Sequence, residues 1–266
     1  QTIDSLERAS GTCGEDSVTI FGGRNELGRV SDSMFVYSNK TGWNEVSYIG
    51  SIPALYDHQL VGFADGSMFI FGGTLESGDI SDNLWRFDPK RLRWAVVNPK
   101  DDFSPIGRSW FQMVAIPERN SFVVLFGRTS KVLEQDVWEY HVSNNSWVQL
   151  PLDVDERKAP TPRFATCCKY YNVTATIYCF GGTTPDGDEN ELWSLVFEDV
   201  TGSSNVKWEL VESRNSNNAP SPRRSVQCAI YDDSMLVTGG RDTEITGSTF
   251  HTDDLYVFFL NNNNLF

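Results

Sequence analysis

A run of β-forming residues closed by glycine occurs five times in this chain of 266 residues: DSVTIFGG (Asp16 to Gly23), SMFIFGG (Ser67 to Gly73), SFVVLFGR (Ser121 to Arg128), TIYCFGG (Thr176 to Gly182) and SMLVTGG (Ser234 to Gly240). The first glycines, Gly22, Gly72, Gly127, Gly181 and Gly239, are spaced by 50, 55, 54 and 58 residues. A period of this length marks a repeat architecture, in which each unit covers its apolar surface with its neighbours. The glycines close strands and open no helix, which separates them from phosphate-cradling loops. Glycine at such a place permits a turn with positive φ and a close backbone approach.

Each glycine position is followed by a polar loop and then by an aromatic run opened by an acidic or amide residue: DSMFVYS, DNLWRFD, DVWEYH, NELWSLVF and DDLYVFFL. Trp43, Trp94, Trp147 and Trp208 begin a further short strand in the first four units. Ahead of the glycine strand lies another β-like run, entered in three units through proline and arginine: PIGRSWFQMVAI, PTPRFATCCKYY and PSPRRSVQCAI. Each unit therefore holds four short strands. Apolar residues fall on both faces, as in Leu84, Trp85 and Phe87 or Leu255, Tyr256, Val257 and Phe258, so each sheet is expected to be sandwiched between others. A ring of four-stranded antiparallel sheets meets that requirement and leaves only short edges.

The pattern of a strand ending in Gly-Gly, an aromatic strand and a following Trp resembles the kelch repeat, and it covers essentially the whole chain. The resemblance implies an all-β fold, a kelch-type β-propeller of four-stranded antiparallel blades. Residues 1–266 then form a single propeller with repeats at approximately 8–50, 51–104, 105–158, 159–218 and 219–266. Kelch rings most often have six or seven blades, so five visible repeats leave open a small five-bladed ring or part of a larger one within a multidomain chain. In the third copy Phe126-Gly127-Arg128 lacks one glycine, and that loop is expected to leave its strand differently. The fifth copy shows no Trp strand.

Up-and-down strand order places the post-glycine loops and the entries to strand one around one mouth of the channel. That face collects arginines: Arg8, Arg108, Arg163 and Arg223 at the start of strand one, with Tyr56 in their place in the second unit, and Arg24, Arg128 and Arg241 after the glycines. Guanidinium groups offer forked donors suited to carboxylates. With Tyr56, His58 and Trp110 they form a candidate site for a protein or peptide partner, an acidic peptide above all. Asp32, Asp82, Asp136 and Asp253 open the third strands on the same face, so structural pairing with the arginines stays open.

A formal charge of −14 argues against nonspecific binding to nucleic acid or anionic membrane. No stretch approaches the roughly 18 apolar residues of a membrane span, and Gln1 is not followed by a charged-then-apolar leader, so a soluble protein, mature or excised, is expected. Enzymatic kelch relatives make specific demands. Copper radical oxidases need tyrosines, histidines and a crosslinked cysteine, and Tyr140-His141 sits at an ordinary aromatic position of a third strand. Plant specifier proteins place an Asp four residues before an iron-binding His, but Ala54, Val137 and Gly247 precede His58, His141 and His251. Asp186, Asp188 and Glu189 lack the glycine spacing of a Ca²⁺ loop. No catalytic residue, metal or cofactor is expected. A carbohydrate-binding or carbohydrate-processing propeller, such as a sialic-acid mutarotase, is the alternative.

Cys13, Cys168 and Cys228 share one repeat position and read as small core residues of different blades, too far apart to bridge. Cys167 and Cys179 fall opposite each other if a hairpin centres near Val173, as two thiols or a disulfide. An odd count of five cysteines favours a reducing, cytoplasmic setting over a secreted one. Three N-glycosylation tripeptides, at Asn39, Asn144 and Asn172, point the other way, although the Asn, Ser and Thr content yields a similar number by chance and Asn suits turns.

Overall fold

The structure is a computed structural model, and it describes residues 6–100, 103–151, 159–197, 206–211, 220–242 and 250–260. Five antiparallel sheets follow one another along the chain and radiate from a central channel. The first comprises β1 (Ser10–Cys13), β2 (Ser17–Phe21), β3 (Met34–Ser38) and β4 (Gly42–Glu45). The second comprises β5 (Gln59–Gly62), β6 (Met68–Phe71), β7 (Leu84–Asp88) and β8 (Arg93–Val96). In the third are β9 (Gln112–Ile116), β10 (Ser121–Leu125), β11 (Val137–His141) and β12 (Ser146–Leu150). The fourth holds β13 (Cys167–Tyr171), β14 (Thr176–Phe180), β15 (Leu192–Phe197) and β16 (Val206–Val211). The fifth has three strands among the described residues: β17 (Gln227–Tyr231), β18 (Ser234–Thr238) and β19 (Leu255–Phe259). The strands pair in sequence order, innermost first, as expected of an up-and-down blade.

Packing between blades follows from residues that face both ways. The Trp of each outer strand reaches the blade before it: Trp94 lies 5.6 Å from Phe21, Trp147 5.6 Å from Phe71 and Trp208 5.6 Å from Phe126, ring centre to ring centre. All three indoles are buried. Trp43, in the first blade, has no earlier blade among the described residues to cover it; it is half-buried and meets Tyr37. The opposite end of the series shows the same effect. In the fifth blade Met235, Val237 and Phe258 pack toward the fourth, while Tyr231, Leu255, Val257 and Phe259 on the other face are exposed.

The third glycine loop is a correction to the sequence reading. Phe126, not Gly127, occupies the first glycine's place: its φ of 61° matches 67° at Gly22, 64° at Gly72 and 68° at Gly181, while Gly127 matches the second glycines. The loop therefore leaves its strand as the others do. A non-glycine residue in this region costs about 1–2 kcal/mol. Phe126 offsets the cost by supplying the ring that meets Trp208, where the equivalent strand residue, Leu125, is not aromatic.

The cysteines are a second correction. The β13–β14 register sets Cys168, not Cys167, opposite Cys179, because the turn closes on the Tyr171–Thr176 pair. Cys168 and Cys179 form a disulfide with Cα atoms 4.1 Å apart. Cys167 forms a second with Cys228, Cα atoms 6.1 Å apart. Innermost strands of adjacent blades converge on the channel, so β13 and β17 lie close enough to bridge. Cys13 is free and exposed.

Truncation should reveal the difference between covered and uncovered indoles. Trp94→Ala is expected to lower stability by about 3–5 kcal/mol, as for other buried aromatics, and Trp43→Ala by about 1 kcal/mol. Equilibrium denaturation of the two variants reads this directly.

Candidate functional site

A cavity of about 980 Å³ opens at the mouth of the channel, lined by residues of all five blades. Its rim is built from backbone. Arg8, Asp57, Trp110, Ala165 and Ser225, one from each strand-one entry, all adopt left-handed φ of 56–59°. Each of the last four donates its amide to the carbonyl of its predecessor: Asp57 to Arg8 at 3.0 Å, Trp110 to Asp57 at 3.4 Å, Ala165 to Trp110 at 2.9 Å and Ser225 to Ala165 at 2.9 Å. The residue before each pairs across to the residue after the second glycine, as in Tyr56 with Thr74, Ser109 with Arg128 and Arg224 with Arg241.

This collar corrects the alignment of the strand-one arginines. Arg108, Arg163 and Arg223 lie two residues before the collar, whereas Arg8 lies in it and Tyr56 one residue before it. The three are fully buried, at 0–1% exposure, and each is the anchor of its own blade. Arg108 binds Asp136 bidentately at 2.6 and 3.0 Å and donates to the carbonyls of Ile106 and Phe126. Arg163 binds Glu191 at 2.9 Å and the Gly181 carbonyl. Arg223 binds Asp254 at 2.6 and 3.1 Å and the Gly239 carbonyl. Trp138 and Trp193 donate their indole N–H groups to the same carboxylates, Asp136 and Glu191. These arginines are withdrawn from any partner. Among the carboxylates expected to pair, Asp136 does so; Asp254 replaces Asp253, and Glu191 acts in the fourth blade. In the first two blades Leu6 and Leu55 stand at the arginine position and Ser33 and Asn83 at the carboxylate position, so the charges are present together or absent together.

His58 is also buried, at 1%, rather than exposed to the mouth. It follows the collar residue and packs edge-on against Phe21, with ring centres 5.6 Å apart. A Cβ on Gly73 would lie 2.6 Å from the His58 Cβ, so the glycine makes room for it. Phe111 holds the same place in the third blade. Burial pushes the His58 pKa down to about 4.

Of the remaining expected residues, Arg8, Tyr56, Trp110, Arg128 and Arg241 line the cavity, and Arg24 stands beside it over Tyr56. Arg8 spans it, its guanidinium 3.3 Å from Asp57 and 4.7 Å from the Trp110 ring centre. Arg24 is held by Glu7 at 2.5 Å and covers Tyr56 from 5.4 Å. Arg128 and Arg241 are exposed and have no ion-pair partner among the described residues. Asp57, Asp79 and Arg224, which did not stand out in the sequence, line the same cavity, as does Asp82 from the start of a third strand. Asp57 is buried, and its pKa is raised to about 6 by desolvation, against the pull of Arg8, Arg24 and Arg128. Arg224 pairs with buried Asp188 at 2.9 Å, which takes up the residue most central to the acidic turn at 186–189. The only sequence signal for Arg224 was its place directly after Arg223. No cluster of three metal-ligating side chains occurs among the described residues.

Antiparallel blades arranged around a channel with a polar mouth define the molecule as a β-propeller. Residues 5–172 match the family model described as the KLHDC2/KLHL20/DRC7 Kelch-repeats domain, and the chain belongs to the kelch-repeat family. It is 22% identical to bovine Kelch domain-containing protein 3 over 85% of its own length and 58% of the relative's. It is 24% identical to the Drosophila melanogaster leucine-zipper-like transcriptional regulator 1 homolog over 91% of the chain and 24% of that protein. Human host cell factor 2 is 25% identical over 83% of the chain and 28% of its own length. The chain thus spans less than two thirds of each of these relatives. Kelch repeats generally serve as protein-interaction modules rather than enzymes.

Two substitutions separate the anchoring arginines from the mouth. Arg108→Leu should cost about 3–5 kcal/mol by stranding Asp136, whereas Arg108→Leu with Asp136→Asn, the pairing of the second blade, should recover most of it. Denaturant midpoints decide between these outcomes.

The adjacent pair 57–58 gives a pH test. The His58 pKa is lower folded (about 4) than unfolded (about 6.5), so its contribution is complete above pH 6.5 and is lost as pH falls toward 4. Asp57 works oppositely: its raised folded pKa favours the native state as pH falls from about 6 toward 4. The two offset each other in the native protein. His58→Phe is therefore expected to gain about 3 kcal/mol relative to the parent between pH 7 and pH 4, measured by urea denaturation.

Proposed function

We propose that the chain is a non-enzymatic protein-interaction module that holds an acidic peptide segment of its partner at the channel mouth. The observation that carries this reading is the pair of exposed guanidinium groups of Arg128 and Arg241, without an ion-pair partner among the described residues, lining a cavity whose other arginines, Arg8 and Arg224, are already committed to carboxylates. Forked donors left without carboxylates suit a ligand that brings its own. Trp110 and Phe164 line the cavity near them and offer aromatic surface to the residues flanking such an acid. Asp79 and Asp82, on the side of the second blade, disfavour acidic groups there and so bias the direction in which a peptide lies.

Peptide arrays of acidic, neutral and basic sequences probed with the intact protein test the reading. Arg128→Glu with Arg241→Glu should abolish binding to the acidic set while leaving thermal stability unchanged. Retained binding, or selection of glycans over peptides in a parallel array, refutes it.

A further inference from the structure

The three glycosylation tripeptides lie in turns at the same end of their blades. Asn39 lies in the β3–β4 turn, Asn144 in the β11–β12 turn and Asn172 in the β13–β14 turn, and all three residues are exposed. In an up-and-down blade these turns sit at the strand ends opposite the loops that form the mouth, and none of them lines the cavity. Turn chemistry does not account for the asparagines. None has a left-handed backbone, and none makes a side-chain hydrogen bond among the described residues. Asn25, Asn44 and Asn145, by contrast, bond through their side chains, and Asn145 takes the left-handed place next to Asn144. Two disulfides are an independent observation with the same implication, since structural disulfides persist in oxidising compartments and are rare in the cytosol. With four of the five cysteines bridged, the odd count no longer favours a reducing setting.

We propose that the chain matures in an oxidising secretory compartment and carries N-linked glycans on Asn39, Asn144 and Asn172, all directed away from the partner-binding mouth. Each asparagine Nδ2 would bond to the anomeric carbon of an oligosaccharide as that carbon's bond to the diphosphate of a lipid-linked donor breaks, and the amide loses one proton. Each disulfide forms as two thiols give two protons and two electrons to a disulfide-bearing oxidoreductase.

The natural protein, isolated without reductant, is denatured, alkylated, treated with peptide N-glycosidase in heavy-oxygen water and mapped by mass spectrometry. The expected result is labelled aspartate at positions 39, 144 and 172 and alkylation confined to Cys13. Thr41→Ala, Ser146→Ala and Thr174→Ala, which keep the asparagine and remove the acceptor hydroxyl, should each erase the label at the neighbouring site only. Unlabelled asparagine at all three positions, or alkylation of Cys167, Cys168, Cys179 or Cys228, overturns the proposal. The outcome is independent of peptide binding at the mouth.

Discussion

Adjacent blades meet through their backbones, and the rest of the molecule is arranged around that contact. The second-glycine amides of Gly23, Gly73, Gly127 and Gly182 donate to the carbonyls of Leu55, Arg108, Arg163 and Arg223 in the next blade at 2.8–3.0 Å. A Cβ on Gly22 would sit 2.5 Å from the Leu55 carbonyl oxygen, and one on Gly72 2.4 Å from that of Arg108. At these two positions a side chain is disfavoured by geometry as well as by φ, and glycine fills the place in four of the five repeats, Phe126 being the exception.

The same carbonyl-bearing residue carries the anchoring guanidinium in three blades. Its charge is buried, and a buried charge persists only with a partner and full hydrogen bonding. Asp136, Glu191 and Asp254 supply the partner, and strand-end carbonyls accept the remaining donors. The first two blades solve the position without charge, through Leu6 and Leu55. An arginine near a functional rim is thus a poor guide to recognition by itself. What distinguishes Arg128 and Arg241 is that no carboxylate among the described residues pairs with them, and that they follow the glycines at the cavity rim rather than standing two residues before the collar.

Much of the fold was legible because its determinants are local. Glycine after a β run, an aromatic third strand and a Trp in the fourth recur in one order, and apolar residues on both faces require neighbours on both sides. The site was legible only in part. Arg128, Arg241, Tyr56, Trp110 and Arg8 line the mouth and Arg24 flanks it over Tyr56, yet Arg108, Arg163, Arg223 and His58 are interior. The error was a two-residue offset between the first blade and the last three, invisible without the backbone because Arg8 mimics the pattern while its left-handed conformation does not show in its letter.

The sequence by itself determined the repeat, the four strands of a blade and the propeller they build, since alternation and glycine placement act within a few residues. Tertiary structure alone decided which arginines face solvent, because each ion pair spans a loop of about 30 residues whose closure no local pattern encodes. It alone decided the disulfides as well: Cys167 and Cys228 become neighbours only when the inner strands of successive blades converge on a shared channel.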